Sequence, residues 1–128
     1  MWNMNRQELE EYIMETYAVQ AEFPWAAYPQ YTVFRHPRNQ KWFALILNVP
    51  KQKLGLSEEG NLDILNVKCD PLMIGSFRQD PNIYPAYHMS KANWISINFD
   101  GGADDEKVKI LLDMSFELTT PKSKRRKP

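Results

Sequence analysis

The longest uninterrupted apolar run in this sequence is Trp-Phe-Ala-Leu-Ile-Leu, residues 42–47. It is far shorter than the ~18 apolar residues that a membrane-spanning helix needs. Its aromatic and β-branched residues favour a strand, and apolar residues at successive positions indicate burial on both faces. We therefore predict a protein built around a β-sheet, with this strand at its centre and no membrane segment.

The length and the cysteine content limit the class of protein further. The chain has 128 residues, which suits one domain. Cys69 is the only cysteine, so no intrachain disulfide can form and a reducing cytoplasm is the expected compartment. Residues 1–6 lead into an acidic helix without the apolar core of a signal peptide. We predict one domain over residues 1–119 and a basic, disordered tail over residues 120–128.

Hydrophobic periodicity and turn residues predict three helices and four strands. The predicted helices cover residues 5–17, 71–80 and 103–118, and the predicted strands cover residues 31–35, 42–49, 62–67 and 94–99. Asn3 or Asn5 caps the first helix, and Asp70-Pro71 begins the second. The second helix is expected to bury Leu72, Met73, Ile74 and Phe77, and to be followed by a loop over residues 81–92.

The order of these elements indicates a fold class. Two adjacent hairpin strands and helices at both ends of the chain favour an antiparallel sheet with helices on one side. We predict an α+β fold, in which a mostly antiparallel sheet and its flanking helices form two layers.

Residue types used in catalysis and metal binding are scarce. His36 lies in a predicted turn and His88 in a predicted loop, so a zinc site would need carboxylates that nothing places nearby. Cys69 ends an apolar strand beside Asp70, a neighbour that raises a thiol pKa, and we interpret it as a core residue. Asp100-Gly101-Gly102 lacks the Lys-Ser/Thr pair of a phosphate-binding loop. We predict no enzyme, no metal and no cofactor.

The segment before the fourth strand is the most distinctive in the chain. Its residues Pro85, His88, Met89, Lys91 and Trp94 match the pattern Pro-x-x-His-Met/Leu-Asn-Lys-x-His-Trp. With the strand-to-helix junction 67–71, this segment resembles the MmcQ/YjbR family of small bacterial proteins, many of them labelled as DNA-binding.

The resemblance implies a compact α+β domain over most of residues 4–118. It also implies a likeness to the double-wing DNA-binding domain of a phage transcription factor and to secretion chaperones. Two positions depart from the family pattern: Ser90 replaces Asn, and Asn93 replaces a second His. A role that requires paired histidines in this loop is therefore not expected here.

The loop residues have two interpretations. His88, Ser90 and Lys91 bind a ligand or partner, or else His88 and Lys91 fix the loop by bonding to backbone carbonyls. Trp94, which opens the fourth strand, is expected to pack in the core, and Met89 is expected to lie beneath the loop.

The charge is divided along the chain. Residues 1–119 carry eleven Lys or Arg against sixteen Asp or Glu, and the last nine residues add five Lys or Arg and no acid. If the first hairpin is a wing, Arg35, Arg38 and Lys41 lie where a wing contacts a DNA groove. The cations of the tail, which include Lys124, Arg125 and Arg126, form either a weak, non-specific nucleic-acid arm or a solvated terminus.

Two functional hypotheses follow. The first is a non-enzymatic DNA-binding protein that uses the basic hairpin, the His88 loop and the tail. The alternative is a protein-interaction module, adaptor-like or chaperone-like, that docks a partner or a second copy through aromatic residues of segment 23–31.

Overall fold

The computed structural model describes residues 4–121. The helices are α1 (Arg6–Tyr17), α2 (Ile74–Phe77) and α3 (Asp105–Leu118), and the strands are β1 (Thr32–Arg35), β2 (Trp42–Pro50), β3 (Asn61–Lys68), β4 (Ile83–Pro85) and β5 (Trp94–Asn98). Short 3₁₀ turns occupy Lys51–Leu54 and Pro71–Met73. No helix in this part of the chain is long and apolar enough to cross a membrane.

The five strands form one sheet in the order β1-β2-β3-β5-β4, with every neighbouring pair antiparallel. The apolar run 42–47 lies in β2, inside the sheet, and most of its residues are buried. The predicted α+β class and the antiparallel sheet are therefore confirmed.

The sheet has an apolar core on each face because successive strand residues point to opposite sides. On one face, Ile46 and Leu65 join a core with Leu9 of α1 and Leu112 of α3. On the other face, no α-helix of residues 4–121 contributes to the core. There a second cluster forms from Val33, Leu45, Leu47, Val49, Ile64 and Trp94, with loop aromatics packed against it.

The ends of α1 and α3 follow from their caps. Asn5 caps α1, since its side chain accepts a hydrogen bond from Glu8 N while the Glu8 carboxylate accepts one from Asn5 N. Asp104 caps α3 by accepting from Lys107 N. Of the two predicted caps for the first helix, Asn5 is the one used, and Asn3 lies outside the described residues.

The prediction for the second helix was wrong in length and in its buried face. Asp70 caps the segment as expected, but Pro71–Met73 form a 3₁₀ turn and α2 has only four residues. Leu72 is 92% exposed and Met73 44% exposed. Gly75 and Ser76 are weak helix formers, which is consistent with the short helix. Only Ile74 and Phe77 pack against the core.

Segment 81–92 is not wholly a loop. Ile83–Pro85 form the edge strand β4, which pairs with β5 from Ile83↔Ile97 to Pro85↔Ile95. A proline is tolerated at a sheet edge because its missing N–H faces away from the ladder.

The hairpin between β1 and β2 is attached to the end of α3. His36 is buried, its ring stacks on Phe116 with centroids 4.1 Å apart, and its Nε2 lies 3.3 Å from Thr120 Oγ1. The Asn39 amide donates to Thr119 O at 2.8 Å. Thr120, which was predicted to lie in the tail, is thus bonded to the hairpin.

Candidate functional site

The uncovered face of the sheet carries a cleft whose walls are aromatic. Its floor is formed by Leu45 and Leu47 of β2, and its volume is about 330 Å³. We call it the aromatic cleft, and its walls are Trp25, Tyr28, Tyr31, Trp42, His88 and Met89. The loops before β1 and after β4 supply most of this wall, and they meet over β2.

The aromatic rings hold one another in fixed orientations. Trp25 contacts Trp42 and Tyr31 edge to face, at centroid distances of 5.5 and 6.0 Å. Tyr28 stacks on Tyr31 with centroids 4.9 Å apart and planes 12° from parallel. Tyr28 is 55% exposed, so part of its ring faces solvent at the mouth of the cleft.

A second depression adjoins the first and is more polar. It measures about 570 Å³, and we call it the amide groove because Gln30, Asn48 and Asn61 line it. Tyr28, Tyr31 and His88 line both depressions. Tyr31 also lies close to Tyr87, and burial, followed by the nearby Tyr87 and Tyr28 hydroxyls, raises the pKa of its phenol.

The loop after β4 is held to the sheet by a buried polar pair. Asn66 of β3 donates from Nδ2 to Tyr87 O at 2.8 Å, and Tyr87 N donates to Ser96 Oγ of β5 at 2.9 Å. The Ser96 hydroxyl in turn donates to Asn66 Oδ1. Because both side chains are fully buried, the Tyr87 backbone is tied to the interior of the sheet.

The rest of the loop bonds to itself. Lys91 Nζ donates to Ala86 O at 3.0 Å, and Asn93 Nδ2 donates to Ser90 Oγ at 3.3 Å. The two departures from the family pattern thus form a pair with each other. The bond from Lys91 to the Ala86 carbonyl is the contact expected of a residue that fixes the loop.

His88 differs from its neighbours. Its backbone has φ 64°, in the left-handed region that residues with a side chain rarely adopt. Its exposed ring packs against Tyr87 at a centroid distance of 3.9 Å and faces Tyr31 at 6.2 Å. Strained conformations of this kind cluster at binding sites, because surrounding contacts must enforce them. His88 is the predicted site residue that the structure places in both depressions.

The hairpin cations behave differently from one another. Arg35 is paired with Glu22 at 2.9 Å and lies over the Trp42 ring at 5.8 Å. Arg38 and Lys41 are exposed. None of the three lines the aromatic cleft or the amide groove. Lys124, Arg125 and Arg126 lie outside the described residues.

Charge is distributed unevenly between the two faces. Helices α1 and α3 carry eight Asp or Glu against three Lys or Arg, and they cover the face opposite the cleft. Segments 19–31, 36–41, 51–60 and 86–93 carry five Lys or Arg against three Glu. The negative charge of the body therefore lies mainly behind the sheet.

Other reactive groups are enclosed or dispersed. Cys69 is buried, and burial, with a smaller effect of Asp70, raises the pKa of its thiol to about 11, as expected for a core residue. Within residues 4–121, no three His, Cys, Asp or Glu side chains lie close enough to hold a metal ion.

Sequence reasoning missed part of this site. Segment 23–31 was noted for its exposed aromatics, but Trp42 was interpreted only as a strand residue. Trp42 is the first residue of β2 and follows a turn, and this position could have predicted that its ring is partly exposed.

Comparison with known proteins agrees with the expected family. The family model described as YjbR matches residues 14–118. The chain belongs to the YjbR family. This YjbR protein is also 40% identical over 116 residues to the uncharacterized protein YyaQ of Bacillus subtilis, covering 91% of this chain and 98% of that protein.

Solved structures give the same fold. A crystal structure of a Pseudomonas syringae protein, 38% identical, matches 91% of this chain and 99% of its own with a TM-score of 0.87. A solution structure from the same organism, also 38% identical, covers 91% and 93% with a TM-score of 0.81. A Deinococcus radiodurans protein of domain class DUF419 is 24% identical, covers 91% and 79%, and has a TM-score of 0.66. The last shows the fold alone.

Proposed function

We propose that this YjbR protein is a non-enzymatic nucleic-acid-binding protein that takes single-stranded bases into its aromatic cleft. The observation that carries the proposal is the stacked pair Tyr28–Tyr31 at the mouth of a 330 Å³ cleft. Proteins that bind single strands use such rings as stacking platforms, and each stacked base contributes ~1–3 kcal/mol.

The charge distribution supports the proposal. A phosphate chain at the cleft lies on the face of the sheet opposite the acidic helices. Loops 36–41, 51–60 and 86–93 carry exposed or partly exposed cations, of which Lys51 is paired with Glu58 and Lys91 bonds to Ala86 O; the cations are Arg38, Lys41, Lys51, Lys53 and Lys91. Neutralising phosphates with such groups releases counterions, so binding weakens as salt rises.

A single strand suits this geometry better than a duplex. A ring must enter a concave cleft to reach Trp25 and Tyr31, and a base paired within a duplex cannot do so without being extruded. The hairpin is packed on α3 through His36 and Asn39 and does not project as a free wing. Arg35 is already paired with Glu22. We therefore assign the hairpin cations Arg38 and Lys41 to phosphate contacts.

The lining of the cleft supports binding without catalysis. Among the described residues that line it, none is a serine, a cysteine or a carboxylate, and His88 is the ionisable side chain besides the tyrosines. With no serine, cysteine or carboxylate among these lining residues, the imidazole has no nucleophile of the usual hydrolytic type beside it.

The proposal is tested by fluorescence anisotropy with labelled single-stranded and duplex DNA of equal length, over a salt series. We expect tighter binding of the single strand, with affinity falling as salt rises. Tyr28→Ala is the site variant, and Phe23→Ala is its matched control because Phe23 is a similarly exposed aromatic of the same loop outside the cleft. Equal affinity for duplex and single strand, or equal losses in the two variants, would contradict the proposal.

A second candidate is docking of a protein, including a second copy of this chain. The observation that favours it is the apolar floor and aromatic wall of the cleft, a lining of the kind that holds aromatic anchor residues at protein interfaces. Light scattering across a concentration series separates the two candidates. Self-association that Tyr28→Ala abolishes, together with no binding of single strands, would favour the protein partner.

A further inference from the structure

The aromatic cleft lacks the side chains that usually read the edge of a base. Those side chains are Arg, Lys, Asn, Gln, Asp, Glu, Ser and Thr, which pair with ring nitrogens and exocyclic groups. Among the described residues that line the cleft, all are Trp, Tyr, Leu, His or Met. The selectivity of the cleft is therefore expected to act on the face of the bound ring.

The face of an aromatic ring attracts positive charge. Its π-electrons give it a negative potential, so a cation within ~6 Å of the ring centroid is stabilised, most strongly by tryptophan. Two tryptophans and two tyrosines line the cleft, namely Trp25, Trp42, Tyr28 and Tyr31, and no Lys or Arg of residues 4–121 lines it. Such a lining favours a flat cation over a neutral ring of the same size.

One ring of this cleft already contacts a flat cation. The guanidinium carbon of Arg35 lies 5.8 Å from the centroid of the Trp42 ring. A guanidinium is planar and its charge is delocalised, as is the charge of a cationic base. The Glu22 carboxylate lies 2.9 Å from Arg35 Nε and balances its charge. Arg35 therefore leaves no unpaired positive charge beside Trp42 to repel a cationic ligand.

The ring that faces solvent is placed to contact a stacked base. Tyr28 is 55% exposed and lies parallel to Tyr31 within 12°, whereas Trp25 lies 82° from Tyr31. A base that extends the Tyr28–Tyr31 stack lies ~3.5–4 Å from the Tyr28 ring, the contact distance of carbon atoms. A charge delocalised over that base is then within the range of a cation–π contact.

We infer that the cleft selects bases that carry a positive charge because a ring nitrogen is methylated, such as 3-methylcytosine. The inference rests on the proposed function, since it names the class of base that the same site prefers. Methylation at a pairing nitrogen also prevents Watson–Crick pairing, so such a base leaves a duplex at a smaller cost than an intact base.

The test compares two single strands of the same sequence and length that differ in one base. One carries 3-methylcytosine, which is cationic at neutral pH, and the other carries 5-methylcytosine, which has its methyl group elsewhere on the ring and is neutral. We expect the wild type to bind the 3-methylcytosine strand about fivefold more tightly in anisotropy titrations, as for a cation–π contact at an exposed ring. Equal affinity, or a preference for the neutral strand, would overturn the inference.

A pair of variants assigns the preference to the cleft. Tyr28→Leu removes the π-electrons and keeps an apolar side chain, so it is expected to lose most of the preference. Phe23→Leu is the matched control, because Phe23 is 58% exposed in the same loop and does not line the cleft. Both positions are exposed, so both variants are expected to fold, and thermal melts check this. A preference unchanged in Tyr28→Leu, or lost equally in Phe23→Leu, would contradict the inference.

Failure of the proposed function gives a different pattern. Free 3-methylcytidine and 5-methylcytidine are added to the ¹⁵N-labelled chain, and the indole resonances of Trp25 and Trp42 are followed. If neither strand binds but only the cationic nucleoside shifts these resonances, recognition of cationic bases stands and single-strand binding fails. If both strands bind equally, single-strand binding stands and the inference fails. If neither the strands nor the nucleosides bind, both are refuted.

Discussion

Tyr28 and Tyr31 stack almost in parallel, with centroids 4.9 Å apart and planes at 12°. The inner ring, Tyr31, is fixed by its edge contact with Trp25 at 6.0 Å. The outer ring, Tyr28, is 55% exposed. The stack therefore begins inside the cleft and ends in solvent, where a further ring can extend it.

Removing the outer ring is expected to weaken binding without loss of the fold. Tyr28→Ala should reduce the affinity for a single strand by about 1–3 kcal/mol, the contribution of one stacked base. Tyr28→Phe keeps the ring and should bind nearly as well as the wild type. Anisotropy titrations of the three proteins check this, and a loss of equal size in Tyr28→Phe would show that the hydroxyl acts and not the ring.

The strain at His88 can be separated from the role of its ring. At φ 64°, glycine is relaxed and alanine is strained, so His88→Gly should be more stable than His88→Ala by about 1 kcal/mol. Urea unfolding of both variants measures the difference. Both lack the imidazole and should lose affinity for single strands to a similar extent. Full affinity in either variant would exclude the ring from the site.

The buried pair beneath the loop should control both stability and loop order. Ser96→Ala leaves Tyr87 N without its acceptor and Asn66 Oδ1 without its donor, which costs about 1–3 kcal/mol. Hydrogen exchange of the Tyr87 amide should accelerate in the same variant. Ser57→Ala, at an exposed position, is the control and should change neither measurement.

Much of the fold could be predicted, because in most elements the residues that the local sequence pattern places inside are the ones that the structure buries. The Asn5 cap of α1, the β1–β2 hairpin and β5 follow from capping residues, periodicity and turn residues. β4 was not predicted, because three residues that include a proline are too few to show the alternation of polar and apolar residues typical of a strand. Their pairing with β5 is a tertiary contact. The length of α2 was overestimated because Leu72 and Met73 are apolar but exposed.

The site could be predicted only in pieces. The family pattern pointed to His88, and composition pointed to the aromatic segment 23–31. Sequence could not show that these segments, about 60 residues apart, meet over Leu45 and Leu47. Nor could it show that Arg35 is paired with Glu22, because ion pairs between distant segments depend on the final packing.

The contact between the hairpin and α3 should weaken in acid. Burial, and then the nearby Arg38, lower the pKa of His36, whereas Glu117 opposes the shift. Its Nδ1 accepts from Arg38 N at 3.1 Å, a bond that needs the neutral ring. The unfolded state therefore binds the proton more readily than the folded state does. The stability that neutral His36 contributes is complete above the unfolded pKa of ~6.5, and it is lost as the pH falls through the lower pKa of the folded state.

Urea unfolding at pH 7.5 and 5.5 tests this expectation. The free energy of unfolding should fall toward pH 5.5, by at most about 1.4 kcal/mol per pH unit from this one proton. His36→Asn keeps an acceptor near the Nδ1 position and does not titrate there, so its pH dependence should be smaller. A variant with the same slope as the wild type would show that His36 is not responsible.

The central claim is that the aromatic cleft is where a single strand binds. Amide and indole resonances of the ¹⁵N-labelled chain, recorded during titration with a short single-stranded DNA, test it most directly. We expect the largest shifts at the Trp25 and Trp42 indoles and at Tyr28 and His88, with α1 and α3 unchanged. Shifts confined to the helices, or no shifts at low salt, would contradict the claim.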